Sequence, residues 1–137
     1  MALTAYLQFG DNSIERYSRQ YLLKEVTTHF IRPHDERRPT ADAFCEALQI
    51  TVYVSANEDT MFQEWYISGN EQSGRILIET SDPQKGDENI YFSIKFDGGL
   101  CHEISEEYTI DTERRILKLT FSSEKIIANK VEFKRFQ

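Results

Sequence analysis

The sequence holds few residue groups whose types and spacing could support catalysis. Cys101, His102 and Glu103 place a nucleophile beside a base and a carboxylate. Successive side chains of a strand point to opposite faces, so Cys101 and His102 could not share a hydrogen bond within an extended segment. We therefore predict that they are not a catalytic pair.

A second group, His34-Asp35-Glu36, offers three metal-ligand side chains, but adjacent positions lack the spacing of known zinc or carboxylate sites. Neighbouring Pro33 and arginines suit a solvated loop better. The chain contains neither a glycine-rich phosphate loop nor a G-x-S-x-G nucleophile motif. These observations predict a protein that is not an enzyme and uses no cofactor or metal.

The composition further limits the classes of protein to which this chain could belong. The 137 residues, with 39% hydrophobic and 28% charged, predict a single globular domain over residues 1–137. A net charge of −7 argues against nucleic-acid binding, and the lack of an apolar run of about 18 residues argues against membrane insertion. The start of the sequence has no basic leader, which predicts cytoplasmic synthesis. Cys45 and Cys101 are expected to be buried free thiols.

The elements that must carry any site are mostly strands, because apolar and polar residues alternate almost throughout. The clearest strand has Leu48, Ile50, Val52 and Val54 on one face. Leu22-Leu23 and Val26-Thr27-Thr28 break the strict alternation, which suggests a bulge. The other predicted segments are a first hairpin of residues 2–9 and a short strand around Ile14 and Tyr17, then residues 21–31, 74–80, 90–96, 100–109 and 114–122, a tight turn at 97–99, and one last strand through Phe136.

The pattern of one segment predicts a helix. Ser55 and Glu58 match a capping box, and an aromatic stripe follows at helical spacing, with Met61, Phe62, Trp65 and Tyr66. Gly69 should end this helix, and the stripe should face the core. Many short strands and one helix predict a β-barrel or a β-sandwich.

Residues 32–44 break the pattern, with two prolines, several charges and no periodicity. A loop this long inside a compact domain is either functional or a solvated excursion. Composition alone leaves both alternatives open, and this segment is the first place to look for a partner contact.

Several segments together resemble the Hcp (TssD) tube proteins of Bacteroidetes type VI secretion systems. They are Arg37-Arg38-Pro39-Thr40, the strand from Leu48 to Val52, the run from Asn57 to Ile67, Ser73-Gly74-Arg75-Ile76, and the stretch from Leu100 to Tyr108. Two departures affect the loop. Arg37 replaces the family's usual glycine, and Cys45-Glu46-Ala47 replaces a glycine-rich approach to the strand, so the loop is free to follow another path here.

The resemblance implies a mainly β fold, a split antiparallel β-barrel with one flanking helix. It also implies a structural subunit of the inner tube, in which six copies form a ring and rings stack. Paralogous tube subunits, the VgrG spike, the contractile sheath and small effector cargo in the lumen are the implied partners. The protein would assemble in the cytoplasm and leave through the type VI apparatus without a signal peptide.

The residues also suggest where subunits or rings would meet. Six copies would carry six times −7, or −42 formal charges, so apolar burial and local charge pairs must drive assembly. Arginines of the loop are the natural counter-charges, and the acidic run of Glu103, Glu106 and Glu107 is either a solvated face or a partner for them. The predicted interface comprises Arg32, Pro33, Asp35, Glu36, Arg37, Arg38, Pro39 and Thr40. The alternative function is a small β-barrel that binds an apolar ligand in an internal cavity.

Overall fold

The computed structural model describes residues 3–32, 34–35, 37–39, 44–54, 60–80, 90–110 and 114–134. Its elements in chain order are β1 (Leu3–Asp11), β2 (Arg16–Ile31), β3 (His34–Asp35), β4 (Arg38–Pro39), β5 (Phe44–Val54), α1 (Met61–Ser68), β6 (Gln72–Thr80), β7 (Ile90–Thr109), β8 (Arg114–Ser122), β9 (Lys125–Ala128) and β10 (Val131–Lys134). In that part of the chain, no helix combines the length and apolar character needed to cross a bilayer.

Six strands close into an antiparallel barrel in the order β7-β6-β1-β2-β5-β8, and β8 pairs back onto β7. Two long strands make the closure possible. The first part of β2 pairs with β1 and the rest with β5, while the first part of β7 pairs with β6 and the rest with β8. Each long strand therefore belongs to two sheets. The predicted split antiparallel barrel with a flanking helix is confirmed.

Alternation correctly predicted the core face of β5. Leu48, Ile50, Val52 and Val54 are all buried and belong to one hydrophobic cluster. Because β5 pairs with β2 on one side and β8 on the other, its inward residues contact both neighbours. The bulge predicted in β2, the strand that pairs with β5, is present between Leu23 and Glu25.

The helix ends where the sequence predicts. Gly69 is left-handed, with φ of 68°, a conformation that glycine adopts without the clash of a Cβ. The N-cap is Thr60, and the predicted capping box of Ser55 and Glu58 lies outside the described residues. Trp65 is 1% exposed, as predicted. Tyr66 was wrongly assigned to the core, since 44% of it is exposed.

The helix closes one end of the barrel through an aromatic cluster. The Trp65 ring centroid lies 5.5 Å from that of Phe9 and 5.2 Å from that of Phe121, and the Phe96 ring packs at a tilt against Phe121 at 4.9 Å. The indole Nε1 of Trp65 donates a 3.0 Å hydrogen bond to the carbonyl oxygen of Gly99. The buried polar group thus has its partner, and the helix is fixed at the middle of β7.

The tight turn predicted at residues 97–99 is absent, because β7 continues through these residues without reversing direction. Gln72 pairs with Gly99 and Gly74 with Phe96, so β7 has one more residue than β6 between these pairs. Such an extra residue forms a bulge that bends the strand. Gly98 takes φ of 69° there, which is unfavourable for other residues.

Two further predictions need correction. Ile14 lies in the turn between β1 and β2 and not in a strand, and it is exposed. The single last strand is a hairpin of β9 and β10, because Asn129 adopts a left-handed φ of 56° at the turn. Phe136 lies outside the described residues.

We expect Trp65→Ala to lower the free energy of unfolding by about 3–5 kcal/mol, because it removes a large buried ring. Trp65→Phe should lose less, since it keeps an aromatic ring but cannot donate to Gly99. Urea denaturation of both variants measures the loss, with Ile14→Ala as an exposed control. If Trp65→Ala unfolded at the same urea concentration as the parent, this account of the core would be wrong.

Candidate assembly interface

The predicted interface segment is a small hairpin and not the irregular loop expected from composition. β3 and β4 pair antiparallel, His34 with Pro39 and Asp35 with Arg38. Arg37 occupies the turn between them. The backbone pairing explains the correction, because it satisfies main-chain groups that the lack of side-chain periodicity could not reveal.

The structure describes the side chains of some predicted interface residues, only the backbone of others, and leaves a third group outside the described residues. The side chains of Arg32 and Arg37 are exposed. Asp35, Arg38 and Pro39 are placed by their backbone in the hairpin, and Pro33, Glu36 and Thr40 lie outside the described residues. A contact between this segment and another subunit therefore stays a prediction.

The acidic run of β7 divides into two kinds of residue. Glu106 is satisfied within the chain: Arg115 Nη2 donates to it at 2.9 Å, the Tyr108 hydroxyl at 2.7 Å, and the Gln63 side-chain amide completes the group. The hydrogen bond to Glu106 raises the pKa of the Tyr108 phenol. This network ties α1 to the β7–β8 pair.

The other two acidic residues, Glu103 and Glu107, are exposed like Glu106 but lie outside this network. They pair in register with Thr120 and Ile116 of β8, on the opposite face of the strand from Ile104 and Glu106. Of the acidic run, these two carboxylates lie outside the Arg115 network and remain candidates to meet a basic partner surface.

The candidate catalytic pair does not form. The Cys101 thiol donates to the carbonyl oxygen of Glu103 at 3.5 Å, while His102 Nε2 lies 2.5 Å from the Ser122 hydroxyl. Burial raises the pKa of the Cys101 thiol to about 11, which disfavours the nucleophilic thiolate. Both cysteines are free thiols as predicted; Cys45 is buried, but Cys101 is only partly so.

The barrel interior is filled by large side chains, among them the fully buried Trp65, Phe96 and Phe121. Two grooves of about 530 and 580 Å³ lie at the surface. The first crosses the outer face of β5 and β8, where Gln49, Thr51, Lys118 and Thr120 line it. The described grooves are thus open surface features with mixed polar and apolar linings, unlike the enclosed apolar interior that binds a ligand in a lipocalin-like barrel.

A family model for the hemolysin coregulated protein Hcp (TssD) matches residues 1–135. The chain belongs to the Hcp (TssD) family. It is a structural subunit of the type VI secretion tube, and Hcp is a secreted component of that system. Tube assembly through self-association follows from this membership.

Solved Hcp structures share the fold. Hcp1 from Flavobacterium johnsoniae superposes with a TM-score of 0.64 at 14% identity, covering 98% of this chain and 100% of that chain. A structure described as a type six secretion system protein has a TM-score of 0.70 at 13% identity, with coverage of 93% and 83%. The secreted protein Hcp3 from Pseudomonas aeruginosa gives 0.63 at 14%, with 91% and 88%. Sequence comparison with curated proteins finds no match.

The thiol chemistry can be tested directly. At pH 8 a thiol of pKa about 11 is ionised about 100-fold less than one of pKa 9, so iodoacetamide should label Cys101 about 100-fold more slowly than an exposed cysteine. Mass spectrometry of the labelled peptides measures the rate, and urea-unfolded protein is the control. Rapid labelling of Cys101 in the folded protein would contradict the assignment.

Proposed function

We propose that this Hcp-family chain forms closed rings of six copies that stack into the inner tube of a type VI secretion system. The match of the family model to residues 1–135 is the observation that carries this proposal. A contractile sheath would expel the tube, a VgrG spike would cap it, and its lumen would hold small effectors. Rings could also include paralogous subunits.

The proposed subunit is not an enzyme, and it acts by assembly alone. A protonated Cys101 thiol supplies no nucleophile at neutral pH, and His102 is engaged with Ser122. The protein would fold in the cytoplasm and leave with the expelled tube. No observation on the barrel favours an apolar ligand, because its interior is occupied by core side chains.

The hairpin around Arg37 is the proposed contact between subunits or rings. Two prolines in residues 32–40 reduce the entropy lost when this segment becomes ordered. Arg37 is exposed, and guanidinium groups pair well with carboxylates such as the outward-facing Glu103 and Glu107. In a protein of net charge −7, these arginines would offset repulsion between acidic copies.

We expect the wild-type protein to form an assembly of six times 16.1 kDa, about 97 kDa, or a stack of such rings. Native mass spectrometry over a range of protein concentrations measures the stoichiometry. A chain that remained monomeric at high concentration would overturn the proposed function.

Replacing both Arg37 and Arg38 with Glu should leave the fold intact, because Arg37 is exposed and surface charges contribute little to the stability of a monomer. Ring formation or stacking should weaken, since acidic surfaces would then meet like charges. Circular dichroism and light scattering report both properties on one sample. The matched control reverses Arg16 and Lys130, which are exposed elsewhere.

Two results would argue against the hairpin as a joint. Assembly equal to that of the wild type would place the contact elsewhere. Loss of the circular dichroism signal would mean that Arg37 and Arg38 support the subunit itself.

A further inference from the structure

The groove on the outer face of β5 and β8 continues across the neighbouring strands, from β2 to β7. Its volume of about 530 Å³ lies in the range of sites that hold small ligands. Strand register arranges its polar side chains in two adjacent rows, which are Glu25, Thr51, Lys118 and Ser105, and then Thr27, Gln49, Thr120 and Glu103. We call this surface the sheet groove.

The charged side chains of the sheet groove are not paired with each other. In the part of the chain that the structure describes, no hydrogen bond or ion pair engages the side chains of Glu25, Lys118 or Glu103. The outer face of β1 and β6 is different, because Arg75 Nε there donates to Gln8 Oε1 at 2.6 Å. The sheet groove thus presents charged groups that are open to a partner.

The composition of the sheet groove suits a guanidinium group. Glu103 supplies a carboxylate, and Gln49 and Thr120 supply further oxygens that accept hydrogen bonds. Tyr66 of α1 also lines the groove, is 44% exposed, and offers an aromatic ring on which a planar cation can stack. Because α1 lies beside β7, Tyr66 and Glu103 share one side of the groove. Arginine is the side chain that combines aromatic stacking with carboxylate binding.

The formal charge of the sheet groove also favours a cation. Glu25 and Glu103 contribute two negative charges and Lys118 one positive charge, so the lining carries a net charge of −1 with His102 neutral. Lys118 lies on β8, one strand away from Glu103 on β7. Its ammonium group therefore offsets part of the attraction that a second cation would feel at Glu103.

Arg37 is a group of this chain that fits the sheet groove. It occupies the turn of the β3–β4 hairpin, and its side chain is exposed. No described residue of the hairpin lines the groove of its own subunit. The hairpin follows the end of β2, whereas the groove lies on the face of the sheet, so the two surfaces are different. Two different surfaces of identical chains meet in a head-to-tail contact, which closes into a ring or continues as a stack.

We propose that the sheet groove receives Arg37 of a neighbouring copy, whose guanidinium stacks on Tyr66 and binds the Glu103 carboxylate. The proposal rests on the proposed function, in which the hairpin joins copies, and it names the surface that the hairpin meets. It selects Glu103 over Glu107, because Glu107 is not part of the groove lining. This contact gives an acidic chain a specific attraction for its own copies.

Exchange of the two charges tests this pairing. Arg37→Glu and Glu103→Arg should each weaken association about tenfold, because each single variant brings like charges together. The double variant restores an opposite pair at every contact, so its association should return close to that of the wild type. Sedimentation velocity over a range of protein concentrations measures association, and circular dichroism checks the fold. A double variant that associates no better than the single variants would overturn the pairing.

Glu107 provides the matched control. Glu107→Arg combined with Arg37→Glu has the same net charge as the exchanged pair, and both glutamates lie on the same face of β7. This combination should remain as weak as Arg37→Glu alone, and rescue by it would overturn the choice of the groove. A wild type that forms no assembly would instead contradict the proposed function, whereas an assembling wild type without rescue by Glu103→Arg would contradict the groove alone.

Lys118→Gln tests the sign of the charge that enters the sheet groove. The substitution removes a positive charge one strand away from Glu103, so a guanidinium should bind there more tightly and association should become stronger. The same sedimentation measurement reports the change. Equal or weaker association would mean that the groove does not receive a cation, and the proposal would be wrong.

A measurement on the wild type covers the case in which a variant fails to fold. Hydroxyl-radical labelling of Tyr66 should fall when the protein is concentrated from monomers into assemblies, because the incoming guanidinium covers its ring. Labelling of Ile14, an exposed residue of the β1–β2 turn, should stay constant. Unchanged labelling of Tyr66 in the assembly would overturn the proposal.

Discussion

The fold depends on the bend of β7 and on the hydrogen bond that Trp65 makes there. A single strand can belong to two sheets only if it changes direction between them, and the extra residue beside Gly98 supplies this change. Gly99, in the same bend, accepts the Trp65 indole N–H, so the helix is attached to the point where the two sheets separate. Phe9 and Phe121 pack around the indole, and the barrel end is thereby closed with apolar rings.

This arrangement also determines which groups the outer surface of the subunit presents to other copies. Because α1 lies beside β7, the sheet β2-β5-β8-β7 has a helix at one outer strand and β2 at the other. Glu106 holds α1 in place through Gln63 and is itself held by Arg115, so its negative charge is used inside the subunit and is not available to a neighbour. Glu103 and Glu107 are the members of the acidic run left for contacts with other copies.

Sequence patterns predicted the parts of the fold that local chemistry decides. Val52 and its neighbours alternate because β5 is buried on one face, and Gly69 ends α1 because its backbone is left-handed. The course of β7 could not be predicted in this way. A Gly98-Gly99 pair suits a hairpin turn and a bulge equally well, and the choice depends on pairing with β6 and β8, which are distant in sequence. The hairpin at Arg37 was missed for a related reason, since its pairing is made by the main chain.

The outer face of the barrel was harder to predict than the core, because apolar residues look alike in a sequence whichever way they face. Tyr66 was assigned to the core for its spacing from Phe62, although it is exposed. Leu22 gave the opposite signal: next to Leu23 it broke the alternation and indicated only a bulge. Both residues become informative once the register shows which side of the barrel each strand presents. An acidic chain that must associate with itself has a physical reason to keep apolar side chains on its outer face, because apolar attraction does not weaken as like charges accumulate around a ring.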